Sequence, residues 1–414
     1  FSGRDISKYC DREIVTKNMF FNYGDNWKVV RQNASPLFTI SKVKNMYPLI
    51  QNCAKTFENM IERELSMSNV LESRSLMARY TMDCIGSVVF GINTDTMGRD
   101  TTKNPFRIMG DLIFDNSNIR GIFVYIRLIW PGLFYGLGLS LFPKTVYDFF
   151  RNLILGVFKE RQYKPSMRHD FVDLLLNLKQ QDYITTESML KSQKGEKFSL
   201  KIDDELLISQ VVLFFSAGFE TSASATSFTL FHLAINQNAQ KRAREEIDEY
   251  LKQKGEKIDY DCTTKMPYLE ACIEEAMRLY PALGVITREV IETYKLPSGL
   301  ILEPETRIHL PVYHLHHNPE YFPDPEEYRP ERFLPENKAH IIPYTYMPFG
   351  EGQRICIGMR VAKMIMIPGL MTVLRKYRVE LAEGMTPKLH MDPRAIVTTT
   401  MDPLQLKFIP RDLI

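Results

Sequence analysis

The residues with the most chemistry in their spacing run from Phe349 to Gly358, Phe-Gly-Glu-Gly-Gln-Arg-Ile-Cys-Ile-Gly, a pattern F-x-x-G-x-R-x-C-x-G that opens a helical stretch. Taken alone, Cys356 would be a small buried hydrophobe, as most free cysteines are. A single thiolate can also be the only protein ligand of a haem iron. In that role it needs glycines that let backbone N–H groups approach the sulfur, and a cation for the carboxylates of the ring. Gly350, Gly352 and Gly358 meet the first need and Arg354 the second, with Phe349 heading the run.

Three further spacings need the same scrutiny. Leu206 to Leu233 predicts a long helix holding Ala217-Gly-Phe-Glu-Thr-Ser222. Glycine inside a helix costs about 1 kcal/mol against alanine, so small Ala217 and Gly218 point to a close approach over a flat cofactor. Thr221 shares a face with Ala217 at i, i+4. Its hydroxyl can hand a hydrogen bond to dioxygen while Glu220 manages proton delivery; the plain alternative is a threonine bonded to its own helix. Glu275 and Arg278 lie at i, i+3 on a helix that ends before Pro281, which for an exposed pair would be worth a few tenths of a kcal/mol. Trp27 and Arg31 lie at i, i+4; an indole N–H and a guanidinium fork suit carboxylates, and a half-exposed ring beside a surface arginine is the alternative.

Together these elements resemble the cytochrome P450 monooxygenases over nearly the whole chain. The decapeptide is similar to that family's haem-ligand signature, and Ala217–Thr221 to its A-G-x-[DE]-T element. The resemblance implies haem b with Cys356 as axial ligand of the iron, and a proton relay through Thr221 and Glu220. It implies propionate contacts from Trp27, Arg31, Arg354 and, in a loop of variable length, Arg288. It also implies a structural network in which Glu275 and Arg278 pair with Arg332 of Pro330-Glu-Arg-Phe333 and lock the cysteine loop. The implied fold is mainly α with a minor β portion, the haem lying between the long helix and the cysteine loop.

As a function, the resemblance implies insertion of one atom of O2 into a lipophilic small molecule. Electrons would come from NADPH through a separate NADPH–cytochrome P450 reductase, since the chain holds no G-x-G-x-x-G element. Lys28, Lys42, Lys44, Arg360, Lys363, Arg375 and Lys376 would form the basic rim that steers an acidic reductase, although each alone reads as solvated surface. A hydroperoxide isomerase or dehydratase of the same fold, or a non-catalytic haem carrier or sensor, is the alternative; neither needs Glu220 and Thr221. The texture is closest to insect microsomal members that handle xenobiotics. The substrate wall is expected from Leu213–Ser222, Ala282–Ile286 and Val397–Met401.

The elements that must position these residues follow from composition and periodicity. Across 414 residues, 52 Lys plus Arg against 50 Asp plus Glu leave a net charge of +2, which disfavours nucleic acid as a partner. Six cysteines, at 10, 53, 84, 262, 272 and 356, form no C-x-x-C pair, so the chain reads as reduced and cytosol-facing. His309, His314, His316 and His317 cluster without completing a metal set, and a structural role is expected. One catalytic domain spans 1–414: mostly helical over 1–280, strands and proline-rich meander over 281–345, the cysteine loop and its helix over 346–377, and strands over 378–414. Gln180–Lys201 reads as a polar surface loop. Pro368 is expected to bend the helix after Cys356.

Ile119–Phe142 is long and apolar but is broken by Arg120, Arg127, Pro131 and glycines. It reads as a surface that dips into the headgroup region of a membrane rather than a span. The chain begins at Phe1 without an apolar anchor. The expectation is therefore a piece of a longer endoplasmic-reticulum protein on the cytosolic face, lacking its anchor, its first helix and part of its amino-terminal sheet.

Overall fold

Apolar residues recurring every third or fourth position build helices through most of the chain, and the longest of these is the axis of the molecule. The computed structural model describes residues 1–4, 6–99, 102–166, 170–190 and 193–411. The long helix runs Asp204–Ile235; the Asp203 side chain accepts from the Leu206 N–H, and Asp204 and Glu205 sit in its positive first turn. It is buried on nearly every side, its small polar residues bonding back to its own carbonyls (Thr226 to Ser222, Thr229 to Ala225) so that they enter the core satisfied. Among the described residues it is the one helix long and apolar enough to cross a membrane, yet most of it lies inside the fold.

Helix Ser73–Ile85 packs along it most extensively, and helices Pro267–Leu279 and Met359–Lys376 also lie against it. Gly218 permits the closest approach: a Cβ there would fall 2.5 Å from Ile85 Cδ1. The glycine therefore serves a helix–helix crossing as well as standing where cofactor clearance was read from the sequence.

The β portion is small. Tyr377–Leu381 pairs antiparallel with Gln405–Pro410, which also pairs with Val70–Glu72 to make a three-stranded sheet. Ile286–Glu289 pairs antiparallel with Arg307–Leu310, and Tyr294–Lys295 with Ile301–Leu302. The mainly α fold with minor sheets is as expected. Residues 412–414 of the final segment lie outside the described residues.

One local expectation is revised. Gln180–Lys201 is a β-hairpin, with Tyr183–Glu187 paired to Lys197–Lys201, rather than a loop; its residues 191–192 lie outside the described residues. Its alternation places Ile184 and Thr186 inward and polar neighbours outward, a period-2 signal hidden by polar flanks. The helix Met359–Lys376 continues through Pro368. Tyr80 Oη donates to the Ile365 carbonyl at 3.1 Å, just where proline disturbs the ladder. Ile119–Phe142 forms two short helices, Asn118–Ile129 and Pro131–Gly136, with Trp130 at their junction.

Candidate active site

The cysteine loop turns by two glycines in the left-handed region, Gly350 at φ +73° and Gly352 at φ +72°, where a side chain would be strained. The Cys356 N–H donates to the Phe349 carbonyl at 2.9 Å and closes the loop. Cys356 is accessible only from a cavity and is otherwise surrounded by protein. That burial pushes its thiol up from the ordinary value; the Gly358 N–H, Arg31 and the Met359 N–H pull the other way. The opposing groups are the ones that would stabilise a thiolate once a cation sits on the sulfur.

The same cavity is lined by Trp27, Arg31, Arg288, Phe349, Gly350, Arg354, Gly358, Ala217, Gly218 and Thr221, contributed by segments far apart in the chain. Arg4 adds a fourth guanidinium, and no acidic residue is among the described lining. Trp27 and Arg31 share one face of the helix Gly24–Ala34. Arg31 Nη2 donates to the Ile355 carbonyl at 2.9 Å, and burial pulls its pKa down. Arg354 stacks 4.4 Å over the Trp27 ring and donates to the carbonyls of Met19 (3.1 Å), Phe20 (3.3 Å), Ser2 and Asn22.

Burial, with the charges of Arg4, Arg288 and Arg31, pulls Arg354 down to about 8. A guanidinium does not give up its proton in a protein. The depression reflects first the burial of the cation and then the like charges beside it, and Arg354 Nε is buried with no hydrogen-bond partner. A ligand with carboxylates at one edge and an apolar body suits this wall, as does a metal centre facing the thiol. Haem has that form, and the residues present fit it.

On the long helix, Ala217, Gly218, Thr221 and Ser222 line the cavity. Thr221 Oγ1 donates to the Ala217 carbonyl at 2.6 Å, so its hydroxyl stands at the wall held by its own helix. Glu220 is buried and outside the lining; its carboxylate pairs with Arg74 of the helix Ser73–Ile85, whose side chain reaches the surface. The acid thus lies between the cavity-lining threonine and a partly exposed cation.

Beneath the loop, Glu275 and Arg278 are fully buried and joined by two hydrogen bonds, Nε to Oε2 at 2.7 Å and Nη2 to Oε1 at 2.8 Å. Arg332 Nε stands 3.5 Å from Glu275 Oε1, an ion pair without a directed bond. Arg278 also donates to the carbonyls of His316 (2.8 Å) and Glu327 (3.1 Å). His316 Nε2 accepts from the Met347 N–H at 2.9 Å, so Nδ1 carries the proton and donates to the Arg278 carbonyl at 3.2 Å. Burial holds His316 neutral, at about 3, and the imidazole ties the Glu275–Arg278 helix to the start of the cysteine loop.

The cytochrome P450 family model matches residues 1–408. The chain belongs to the cytochrome P450 family. It is similar to Cytochrome P450 6B2 of Helicoverpa armigera, with 32% identity over 99% of this chain and 79% of that protein. It is 33% identical to Cytochrome P450 6k1 of Blattella germanica over 99% of this chain and 79% of that protein. Against Probable cytochrome P450 6a13 of Drosophila melanogaster, identity is 32% over 98% and 80%. As a cytochrome P450 it is an oxidoreductase, a monooxygenase whose haem carries a cysteine thiolate ligand.

Within this P450 the structure moves several residues from their expected places. Val397–Met401 is not in the cavity lining. Thr398 donates from its hydroxyl to the Pro281 carbonyl at 2.6 Å and from its N–H to Ala282 at 3.0 Å, while Ser224 Oγ donates to its carbonyl at 2.7 Å. The segment buttresses Ala282 and Leu283, which do line the cavity. Phe38, Ile85, Val88, Val89 and Phe171 complete the apolar wall; nothing in their spacing marks them, because they meet only by folding.

The basic rim is thinner than expected. Lys363 pairs with Glu270, Arg375 with Glu58, and Lys376 with Glu58 and Glu62. Helix Ile40–Leu65 brings two of those acids alongside, leaving Lys28, Lys42, Lys44 and Arg360. Among the described residues no group of His, Cys, Asp and Glu could hold a further metal ion.

Proposed function

We propose that Cys356 is the axial ligand and that this cytochrome P450 oxygenates a lipophilic small molecule with electrons delivered by NADPH–cytochrome P450 reductase. The observation carrying this reading is the single cavity in which the Cys356 thiol, Thr221, two long apolar segments and a wall of guanidiniums meet. Bound haem supplies activation of dioxygen, with the thiolate donating electron density toward O–O cleavage.

The chain's own residues do the rest. The Gly358 and Met359 N–H groups stabilise the Cys356 sulfur as thiolate. Arg31, Arg288 and Arg354, with Trp27 against Arg354, would hold the ring carboxylates. Phe38, Phe171, Leu213 and Phe214 exclude water and favour an apolar substrate. Thr221 Oγ1 turns from the Ala217 carbonyl to donate into the cavity, and Glu220, held by the partly exposed Arg74, takes protons from solvent and resupplies them. Glu275, Arg278 and Arg332 keep the loop in place. The exposed Lys42 and Lys44 and the part-exposed Lys28, none of them in an ion pair among the described residues, support an acidic reductase, and the similarity to insect relatives supports xenobiotic substrates. The exposed apolar residues of Asn118–Ile129 support association with the endoplasmic-reticulum membrane on its cytosolic face.

A hydroperoxide isomerase or a haem carrier would not use Thr221 and Glu220. The deciding experiment is the spectrum of the dithionite-reduced protein with carbon monoxide, with Cys356→His as control. A Soret band at the thiolate position that moves to the histidine position in the control is expected. A histidine-type band in the unmutated protein would sink the assignment. Thr221→Ala should then divert reducing equivalents from product to peroxide, which an isomerase would not register.

A further inference from the structure

A second cavity, of about 570 Å³, lies outside the Cys356 site, between Arg12–Val15 and the starts of the helices Asn118–Ile129 and Lys144–Glu160. Three cations are on its wall. Arg12 and Lys144 are exposed and join no ion pair among the described residues. Arg120 is 8% exposed; its Nη2 donates to the Ile113 carbonyl at 3.2 Å, its Nε is buried without a partner, and no carboxylate pairs with it among the described residues.

Two acids share the wall and offset part of its positive charge, Glu13 also standing 4.0 Å from Arg127; their oxygens are turned to other donors. Glu13 accepts from Tyr135 Oη (3.0 Å), Ser140 Oγ (2.9 Å) and the Leu141 and Phe142 N–H groups (both 3.1 Å). Asp115 accepts from the Ser117 N–H at 2.9 Å and its hydroxyl at 2.8 Å. Helix Lys144–Glu160 begins at Pro143 with no side-chain cap, so a positive helix end adds to the three cations.

Two exposed cations and a helix start beside a buried guanidinium whose Nε is unsatisfied, with the Phe142 ring 5.5 Å from its centre, fit an anion with several acceptor oxygens. The mouth of the cavity identifies its source. Ile119 lines it and continues into Ile122, Tyr125 and Ile129, one helical face that is 54–69% exposed. We propose that this cavity seats the phosphate of an anionic membrane lipid while the apolar face rests among acyl chains. The assignment rests on the membrane association proposed above and adds a headgroup site to it.

Flotation of the haem-loaded chain separates the two ideas, using vesicles of phosphatidylcholine alone, with phosphatidic acid, or with phosphatidylglycerol at equal surface charge. Binding to all vesicles, weakened equally by Ile122→Ser, is expected from the apolar face. Phosphatidic acid should raise partition about tenfold over phosphatidylglycerol, the scale of one charge-assisted hydrogen bond. Arg120→Lys should abolish that preference while keeping the charge. The exposed variants Arg12→Gln and Lys144→Gln, which disturb no core contact, should each lower binding to phosphatidic acid about fivefold. Binding to every vesicle without headgroup preference would overturn the site alone, and no binding to any vesicle would overturn both readings. Retention of radiolabelled inorganic phosphate by the haem-loaded chain, lost in Arg120→Lys, with no preference for phosphatidic acid vesicles, would reassign the cavity to a soluble anion.

Discussion

Replacing Arg278 by methionine tests the brace beneath the cysteine loop. Arg278 is fully buried and makes four hydrogen bonds: two to Glu275, one to His316 O and one to Glu327 O. Arg278→Met preserves much of the volume but strips donors from the buried His316 carbonyl, the part-buried Glu327 carbonyl and one buried carboxylate. Glu275 keeps the Arg329 N–H at 2.9 Å and Arg332 at 3.5 Å, so its charge is not wholly stranded. Breaking a buried pair costs about 3–5 kcal/mol, and the remaining partners place this one near 4. At about 1.4 kcal/mol per decade that is roughly a thousandfold in the unfolding constant.

Urea unfolding of the haem-loaded protein, followed by far-UV circular dichroism and by the Soret band, measures it. The Soret signal should be lost at lower urea than the helical signal, because the brace acts on the cysteine loop before the rest of the core. Arg278→Lys should recover less than half of the loss, since an ammonium cannot span four acceptors held in a fork. The double variant Glu275→Gln/Arg278→Met should cost less than the sum of the singles. Stability within 1 kcal/mol of wild type for Arg278→Met, with unchanged haem retention, would refute the reasoning.

Acid should destabilise this protein early. Burial lowers His232 and His316 from 6.5 to about 3 each, so the unfolded chain takes up protons first and stability is lost as pH falls below 6.5. At pH 5 the two together should cost ~4 kcal/mol, read from chemical denaturation across pH, and His232→Phe should halve that slope. The same variant should be neutral or stabilising at pH 8, because it removes a buried Nε2 that has no hydrogen-bond partner. Gly350→Ala should cost about 1–3 kcal/mol through its φ of +73° while the Cys356 carbon monoxide spectrum stays intact. Arg31→Leu should speed haem loss to apomyoglobin by about tenfold or more, the scale of one charge-assisted contact, with little change in the thiolate spectrum.

Much of the site was legible because its chemistry sits in short local spacings. A thiol among glycines, Ala217 to Thr221 on one helix and Glu275 to Arg278 one turn apart are each contained in about one turn or one loop, where sequence distance and spatial distance coincide. The long helix was legible by its length and its Leu, Val and Phe content, although composition fits a membrane span as well as a core. Polar flanks hid the Tyr183–Glu187 hairpin strand, whose short alternation is easily outweighed by lysines and glutamines on either side.

What the fold alone decided are meetings between distant segments. Arg4 joins Arg354 in a common cavity although 350 positions separate them, and His316 reaches Met347 while bonding back to Arg278. Glu220 and Thr221 are neighbours in the chain, yet packing sends one side chain to Arg74 and leaves the other on the cavity wall. Glycine 218 could be flagged from sequence, but its packing reason, the Ile85 methyl 2.5 Å from where a Cβ would be, exists only between two packed helices. Residue types set which chemistry was available; close packing of the long helix against its neighbours chose the direction each group faces.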